Sequence, residues 1–293
     1  VKYRSGGAFR RALEDRLRAR SLKSGVALVR LRKMVAFDRF LARLTLAQPD
    51  AWVLKGGLAL QLRLGERART TKDVDVLLVT LHQDVHQLLV SAASLDAGDW
   101  FQFEVTRPTG DLAGHFGGLR FHTQGLLDGR LFERFHVDVG VGDPVVEPVE
   151  RLAMPALLGF ADIRSTIVPC YPLTQQIAEK VHAYTRPHPS GESSRVKDLV
   201  DILLMAGLGG INGPLLLRAT QVTFDARGTH PLPRYLPDPP SAWAVTFRKI
   251  ASGIGLGYHT LAEAGQAARR FLDPILRGEV TGTWNPAAWA WLL

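Results

Sequence analysis

Apolar positions in the first fifty residues recur at intervals of three and four: Ala8, Ala12, Leu13 and Leu17, then Leu28, Leu31, Val35, Leu41 and Leu44. One apolar stripe per 3.6-residue turn predicts two amphipathic helices over 8–46, broken near Gly25. From Trp52 the period changes. Residues 51–54 read as a buried strand, Lys55-Gly56-Gly57 as a tight turn, and 58–64 as a short helix ended by Gly65. After a polar, basic loop over 65–71, the segment 73–79 alternates acid and valine before turning wholly apolar, which predicts a second strand. A helix is predicted over about 80–95 and strands over 101–106 and 119–127. Asp128-Gly129 then supplies a two-residue turn into a hairpin strand over 130–139.

Glycines and prolines between 140 and 155 mark a change of region. Beyond Pro172 the helical period returns over 173–184, 195–205, 214–222, 241–252 and 258–276, with a Pro/Ser/Gly loop at 186–194 and a proline-rich connector at 228–240. The expected architecture is α+β: a mixed sheet with flanking helices over 1–160, followed by a mainly α-helical region over 161–293.

Composition adds exclusions. With 293 residues, 46% hydrophobic and 22% charged, and a mean hydropathy of +0.02, the chain is neither disordered nor a polytopic membrane protein. No segment approaches the ~20 apolar residues of a membrane span, so no membrane partner is expected. The single cysteine, Cys170, makes neither an intrachain bridge nor a cysteine zinc site. It reads as a packed small residue in a chain expected in a reducing cytoplasm.

The formal net charge is +8, and all of the excess is N-terminal: residues 1–50 carry +9 and the remaining 243 carry −1. Arg10, Arg11, Arg16 and Arg18 are therefore the candidates for gripping a phosphate backbone. Only eight of the 36 basic residues are lysine. Four of them, Lys55, Lys72, Lys180 and Lys197, fall in the segments that carry the candidate chemistry, where an ammonium is not interchangeable with a guanidinium.

That chemistry centres on 53–76. Residues two apart on a strand share a face, so Asp73 and Asp75 project together while Val74 and Val76 enter the core. Two carboxylates side by side repel, and an oxygen-preferring divalent ion such as Mg²⁺ resolves the repulsion where triphosphates are handled. Asp138 repeats the pattern on the hairpin strand, a third carboxylate suited to orient or deprotonate a hydroxyl or to share the metal. Gly56 and Gly57 close a strand-to-helix turn whose backbone N–H groups and helix N-terminus favour phosphate. Weaker signals read as structural. His82 and His86 lack the intervening glutamate of a zinc helix, and Trp284, Trp289 and Trp291 read as packing on a last helix.

Strand, Gly-Gly, short helix, basic loop and Asp-x-Asp in that order resemble the polymerase-β-like nucleotidyltransferase superfamily. Within it the chain resembles the AbiEii/AbiGii family of toxin nucleotidyltransferases, which includes the MenT-type toxins. The resemblance is carried by Tyr3-Arg4 with 8–13, by Lys55-Gly56-Gly57 with 60–63, by 69–75, and by Glu179-Lys180 with 195–201. Gly57 stands where much of the superfamily has serine. The resemblance implies Mg²⁺ or Mn²⁺ on Asp73 and Asp75, and an NTP held by Lys55, Gly56, Gly57, Arg69, Thr71 and Lys72. It also implies a lysine and an aspartate beside the acids, mapping to Lys180 and to Asp198 or Asp201, with Lys197 nearby. By the same resemblance the chain is a nucleotidyltransferase of EC class 2.7.7 that moves NMP to RNA, with the tRNA 3′ end as the leading acceptor. It would thereby inhibit translation and growth under the control of a cognate antitoxin. The alternatives are a same-fold transferase acting on a small molecule or protein, and a non-catalytic module that binds RNA or an antitoxin.

Overall fold

The computed structural model describes residues 2–79, 84–107, 118–146, 148–187 and 195–292, with Glu66 described in its backbone alone. The chain divides into two compact units. The first comprises Val1–Leu62, Thr70–Gly142 and Glu150–Cys170, and the second Arg63–Arg69, Asp143–Val149 and Tyr171–Leu293.

The first unit opens with α1 (Gly6–Ser24), capped by the Ser5 side chain and stopped by Gly25 at φ +75°, and α2 (Leu28–Ala47). Then come β1 (Trp52–Lys55), α3 (Gly56–Leu64), β2 (Asp73–Leu78), α4 (Val85–Ala93), β3 (Phe101–Thr106), β4 (Leu119–Leu127), β5 (Arg130–Val141), β6 (Glu150–Ala153) and β7 (Ile167–Cys170). The strands form one sheet in the order β3-β4-β5-β2-β1-β7-β6. It is mixed: β2 runs parallel to β5 and β1 parallel to β7, while the other neighbours are antiparallel. The predicted turn is present, with Asp128 and Gly129 both at positive φ, as a tight β4–β5 hairpin requires.

Phenylalanines explain the side the helices take. Phe9 of α1 meets Phe101, and Phe37 and Phe40 of α2 pack edge-on against Phe135, with ring centroids 5.1–6.3 Å apart. Leu89 of α4 joins the same core. Val74, Val76, Val137 and Val139 are buried on this face, which leaves the alternate residues of β2 and β5 on the other.

The structure differs from the sequence-based expectation at several points. β6 and β7 went unpredicted because each is four residues long and lies among prolines and glycines, and the division at 160 falls inside the sheet they extend. The helix expected over 80–95 is described from Val85, and residues 80–83, with His82, lie outside the described residues. Of the four candidate N-terminal arginines, Arg10 is held within the fold while Arg11, Arg16 and Arg18 are exposed, and Arg32 and Arg43 are engaged further along the chain. Arg10 donates to the carbonyls of Leu127, Arg130 and Leu131, Arg16 lies over the Phe160 ring, and Arg32 pairs with Glu14. Arg43 is fully buried and forked onto Asp99 at 2.7 and 3.0 Å.

The second unit contains α5 (Leu173–Thr185), α6 (Val196–Ala206), β8 (Ile211–Asn212), α7 (Gly213–Arg227), α8 (Ala244–Ile254), α9 (Leu261–Leu276), β9 (Thr283–Asn285) and β10 (Ala290–Leu292). It is helical apart from the three-stranded sheet β10-β9-β8. Trp284 and Trp291 lie in β9 and β10 and Trp289 in the turn between them, and the last two bond to α9, the last helix. The three indole N–H groups donate to the carbonyls of Ala206, Ala267 and Phe271, and their rings pack against one another. Cys170 is fully buried. Among the described residues no helix is long and apolar enough to cross a membrane.

Candidate active site

Strand register builds two charged rows across the open face of the first unit's sheet. In one, Lys55 of β1 stands opposite Asp75 of β2, Asp75 opposite Asp138 of β5, and Asp138 opposite Arg120 of β4. In the next, Asp73 stands opposite His136, and His136 opposite His122. Asp73, Asp75 and Asp138 therefore share one face, as period-two alternation predicts.

Gly56 begins α3 at φ +63°, a left-handed conformation that glycine adopts without strain. A Cβ built there would lie 2.2 Å from Asp75 Oδ2. The first glycine of the pair thus lets the Asp75 carboxylate close onto the start of α3, where N–H groups lack helical partners and the dipole favours anions. The structure starts the helix at Gly56, two residues earlier than the sequence reading.

Asp73 Oδ1 lies 3.0 Å from His136 Nδ1. Both oxygens of Asp138 are held by the Arg120 fork at 2.6 and 2.7 Å. That hydrogen-bonded pairing, with Asp73 and Asp75 close behind, pushes the Arg120 pKa further up and keeps the guanidinium charged. Arg120 is a side chain of this site that the sequence pattern did not point to. Among the described residues no group of three or more His, Cys, Asp or Glu side chains converges for a metal. Asp73 and Asp75 fit a hard divalent ion by the chemistry of their oxygens and by their shared face, whereas Asp138 is committed to Arg120.

The other predicted residues fall into place separately. Thr71 is buried, and its hydroxyl donates to the Asp73 carbonyl at 3.2 Å. Lys72 is exposed and lines a cavity with Asp73 and His136. In the second unit, Lys180 of α5 bonds both candidate aspartates of α6, Asp198 at 2.7 Å and Asp201 at 2.9 Å. The i, i+3 spacing puts both carboxylates on one face, so the lysine takes both. Arg69 forks onto Asp201 at 2.8 and 2.9 Å. Burial alone would lower the Lys180 pKa, but the two carboxylates outweigh it and the net shift is upward. Burial would likewise raise Asp201, yet Lys180 and Arg69 bring it below the usual carboxylate range. Lys197 is exposed on the same helix.

A mixed sheet with Gly-Gly at a helix start, set against Asp-x-Asp on the neighbouring strand, defines the polymerase-β-like nucleotidyltransferase class. Residues 39–280 match the family model described as nucleotidyl transferase AbiEii toxin of type IV toxin–antitoxin systems, and the chain belongs to that family. Its fold is similar to that of MenT4, a nucleotidyltransferase toxin from Mycobacterium tuberculosis H37Rv, with a TM-score of 0.54 at 20% identity over 91% of this chain and 98% of that one. JHP933 from Helicobacter pylori aligns over 84% of this chain and 93% of its own, at 14% identity and a TM-score of 0.43. No curated protein matches the sequence.

Proposed function

We propose that the protein transfers a nucleoside monophosphate from an NTP to a hydroxyl of an RNA acceptor, the tRNA 3′ end foremost, and so inhibits translation and growth. In this reading it acts in the cytoplasm and is restrained by a cognate antitoxin. The observation that carries the proposal is the closure of Asp75 onto Gly56, with Asp73 beside it on the same face of β2.

The acceptor oxygen bonds to the α-phosphorus, the bond from that phosphorus to the β-bridging oxygen breaks, and pyrophosphate leaves with the electron pair. Asp73 and Asp75 would hold Mg²⁺ or Mn²⁺, which supplies charge neutralisation for the triphosphate. Lys55 and the N–H groups at Gly56 and Gly57 would bind the phosphate chain. Asp138, oriented by Arg120, accepts the proton of the attacking hydroxyl. The family resemblance implies a place for Lys180 and Asp198 beside the metal-binding acids, where an ammonium would offset charge developing on the leaving pyrophosphate and the carboxylate would hold that lysine.

Purified protein incubated with α-labelled NTPs, Mg²⁺ and total tRNA tests this. Label is expected in RNA, and its appearance instead in a small molecule or polypeptide would reassign the acceptor. RNA binding without transfer of any of the four nucleotides would make the chain a binding module.

A further inference from the structure

The open sheet face continues past the acids. Moving back along β5 from Asp138, the same-face residues are His136, opposite His122, and then Arg134, opposite Gln124. A cavity of about 670 Å³ lies here, lined by Lys72, Asp73, Arg120, His122, Arg134 and His136 among others. That volume is within the ~300–1,000 Å³ range of ligand sites. Asp73 is the acid of the lining, against Lys33, Lys72, Arg120 and Arg134.

Two of these cations are already committed: Lys33 to Glu133 at 3.1 Å, and Arg120 to Asp138. Two are not. The exposed Arg134 guanidinium reaches the neutral Gln124 Oε1 at 3.3 Å and no carboxylate among the described residues, and Lys72 is exposed. The exposed His122 ring stands edge-on to His136, with centroids 4.7 Å apart.

Direction follows from the strand order β4-β5-β2-β1. The start of α3 lies at the β1 side of the acids and the cavity at the β5–β4 side. In phosphoryl transfer the attacking and leaving oxygens lie roughly in line across the phosphorus. With the triphosphate at α3, the attacking strand enters from β5 and β4.

We infer that this cavity is the acceptor-strand subsite, with a backbone phosphate of the RNA between Arg134 and Lys72 and a base against His122. The inference rests on the transferase reading above. A guanidinium fork matches phosphate geometry, and histidine is one of the rings on which unpaired RNA bases stack.

The test is equilibrium binding of unfractionated tRNA to the full chain without NTP, over a salt series, alongside separate NTP binding. Arg134→Ala is expected to weaken RNA binding about tenfold and to lower the slope of log K against log salt by about 0.7, one single-strand phosphate contact. His122→Ala is expected to weaken it about tenfold with the slope unchanged, since stacking releases no counterion. NTP affinity and the thermal melt stay at wild-type values in both, and Arg134→Lys restores the slope. RNA affinity unchanged in both variants, NTP affinity falling in step, or a wild-type chain that binds no RNA would each overturn the inference. Wild-type label transfer separates the two levels. RNA binding that responds as expected without any transfer removes the reaction but leaves the subsite, while transfer with unaltered acceptor KM in both variants removes the subsite alone.

Discussion

Gly56 and Asp75 exclude a methyl group between them: a Cβ at residue 56 would stand 2.2 Å from the carboxylate oxygen. Any side chain at 56 must therefore move Asp75 or the start of α3, and it meets a φ of +63° as well. Gly56→Ala is expected to cut nucleotide transfer by about 100-fold or more, the cost of misplacing a reacting group by about an ångström. A circular dichroism spectrum like that of wild type, measured with the transfer assay, separates this from unfolding.

Arg120 is the second sensitive point. Its two donors hold both oxygens of Asp138, and a lysine replaces the charge without the fork. Arg120→Lys is expected to lower kcat about tenfold while leaving KM for NTP near wild type. Asp138→Asn should lower it further, because the amide accepts a proton far less readily. Equal kcat for Arg120→Lys and wild type would show that Arg120 does not position Asp138.

Lys180 has a structural consequence that can be read without substrate. Its ammonium offsets two buried carboxylates, Asp198 and Asp201, and Arg69 offsets Asp201 from the other side. Removing one partner of a buried pair costs about 3–5 kcal/mol, since a charge is left uncompensated. Urea unfolding should show Lys180→Met less stable by about that amount, and the double variant Lys180→Met/Asp198→Asn less affected than the sum of its parts.

Acid stability should carry the mark of His182. Burial holds this ring neutral and brings its pKa down from 6.5 to about 3, with Arg227 nearby adding to the shift. The unfolded chain takes up a proton near pH 6.5 that the folded chain refuses. The contribution is complete above that pH and is lost as pH falls toward 3, at about 1.4 kcal/mol per unit. Denaturation curves at pH 7, 6 and 5 should fall less steeply with pH for His182→Phe than for wild type. Parallel curves would place the acid sensitivity elsewhere.

Much of the candidate site was legible because strand alternation and glycine placement are local. Asp73, Asp75 and Asp138 share a face, and Gly56 sits at a backbone position that needs it, both of which the spacing carries. Arg120 was not legible, and the reason is a single residue. A regular hairpin from Asp128-Gly129 would set Arg120 opposite Val137, on the core face. The register shifts between Gly125 and Leu126, a bulge that moves Arg120 opposite Asp138. Gly125 packs against the Phe103 ring, which a Cβ at 125 would approach to 2.9 Å. One extra residue flips every side chain beyond it, and no propensity reports it. The surroundings of the N-terminal arginines were not legible for a related reason. Composition counts arginines but does not show that Arg10 ties down the β4–β5 hairpin or that Arg43 is buried on Asp99.

The most direct measurement is transfer of α-labelled nucleotide to total tRNA with Mg²⁺, with released pyrophosphate counted in the same reaction, for wild type, Asp73→Asn and Asp75→Asn. Wild type is expected to release one pyrophosphate for each nucleotide joined to RNA, and each variant to fall by at least about 100-fold while retaining its fold. Equal transfer by wild type and Asp75→Asn, or none by wild type with any NTP, would contradict the account.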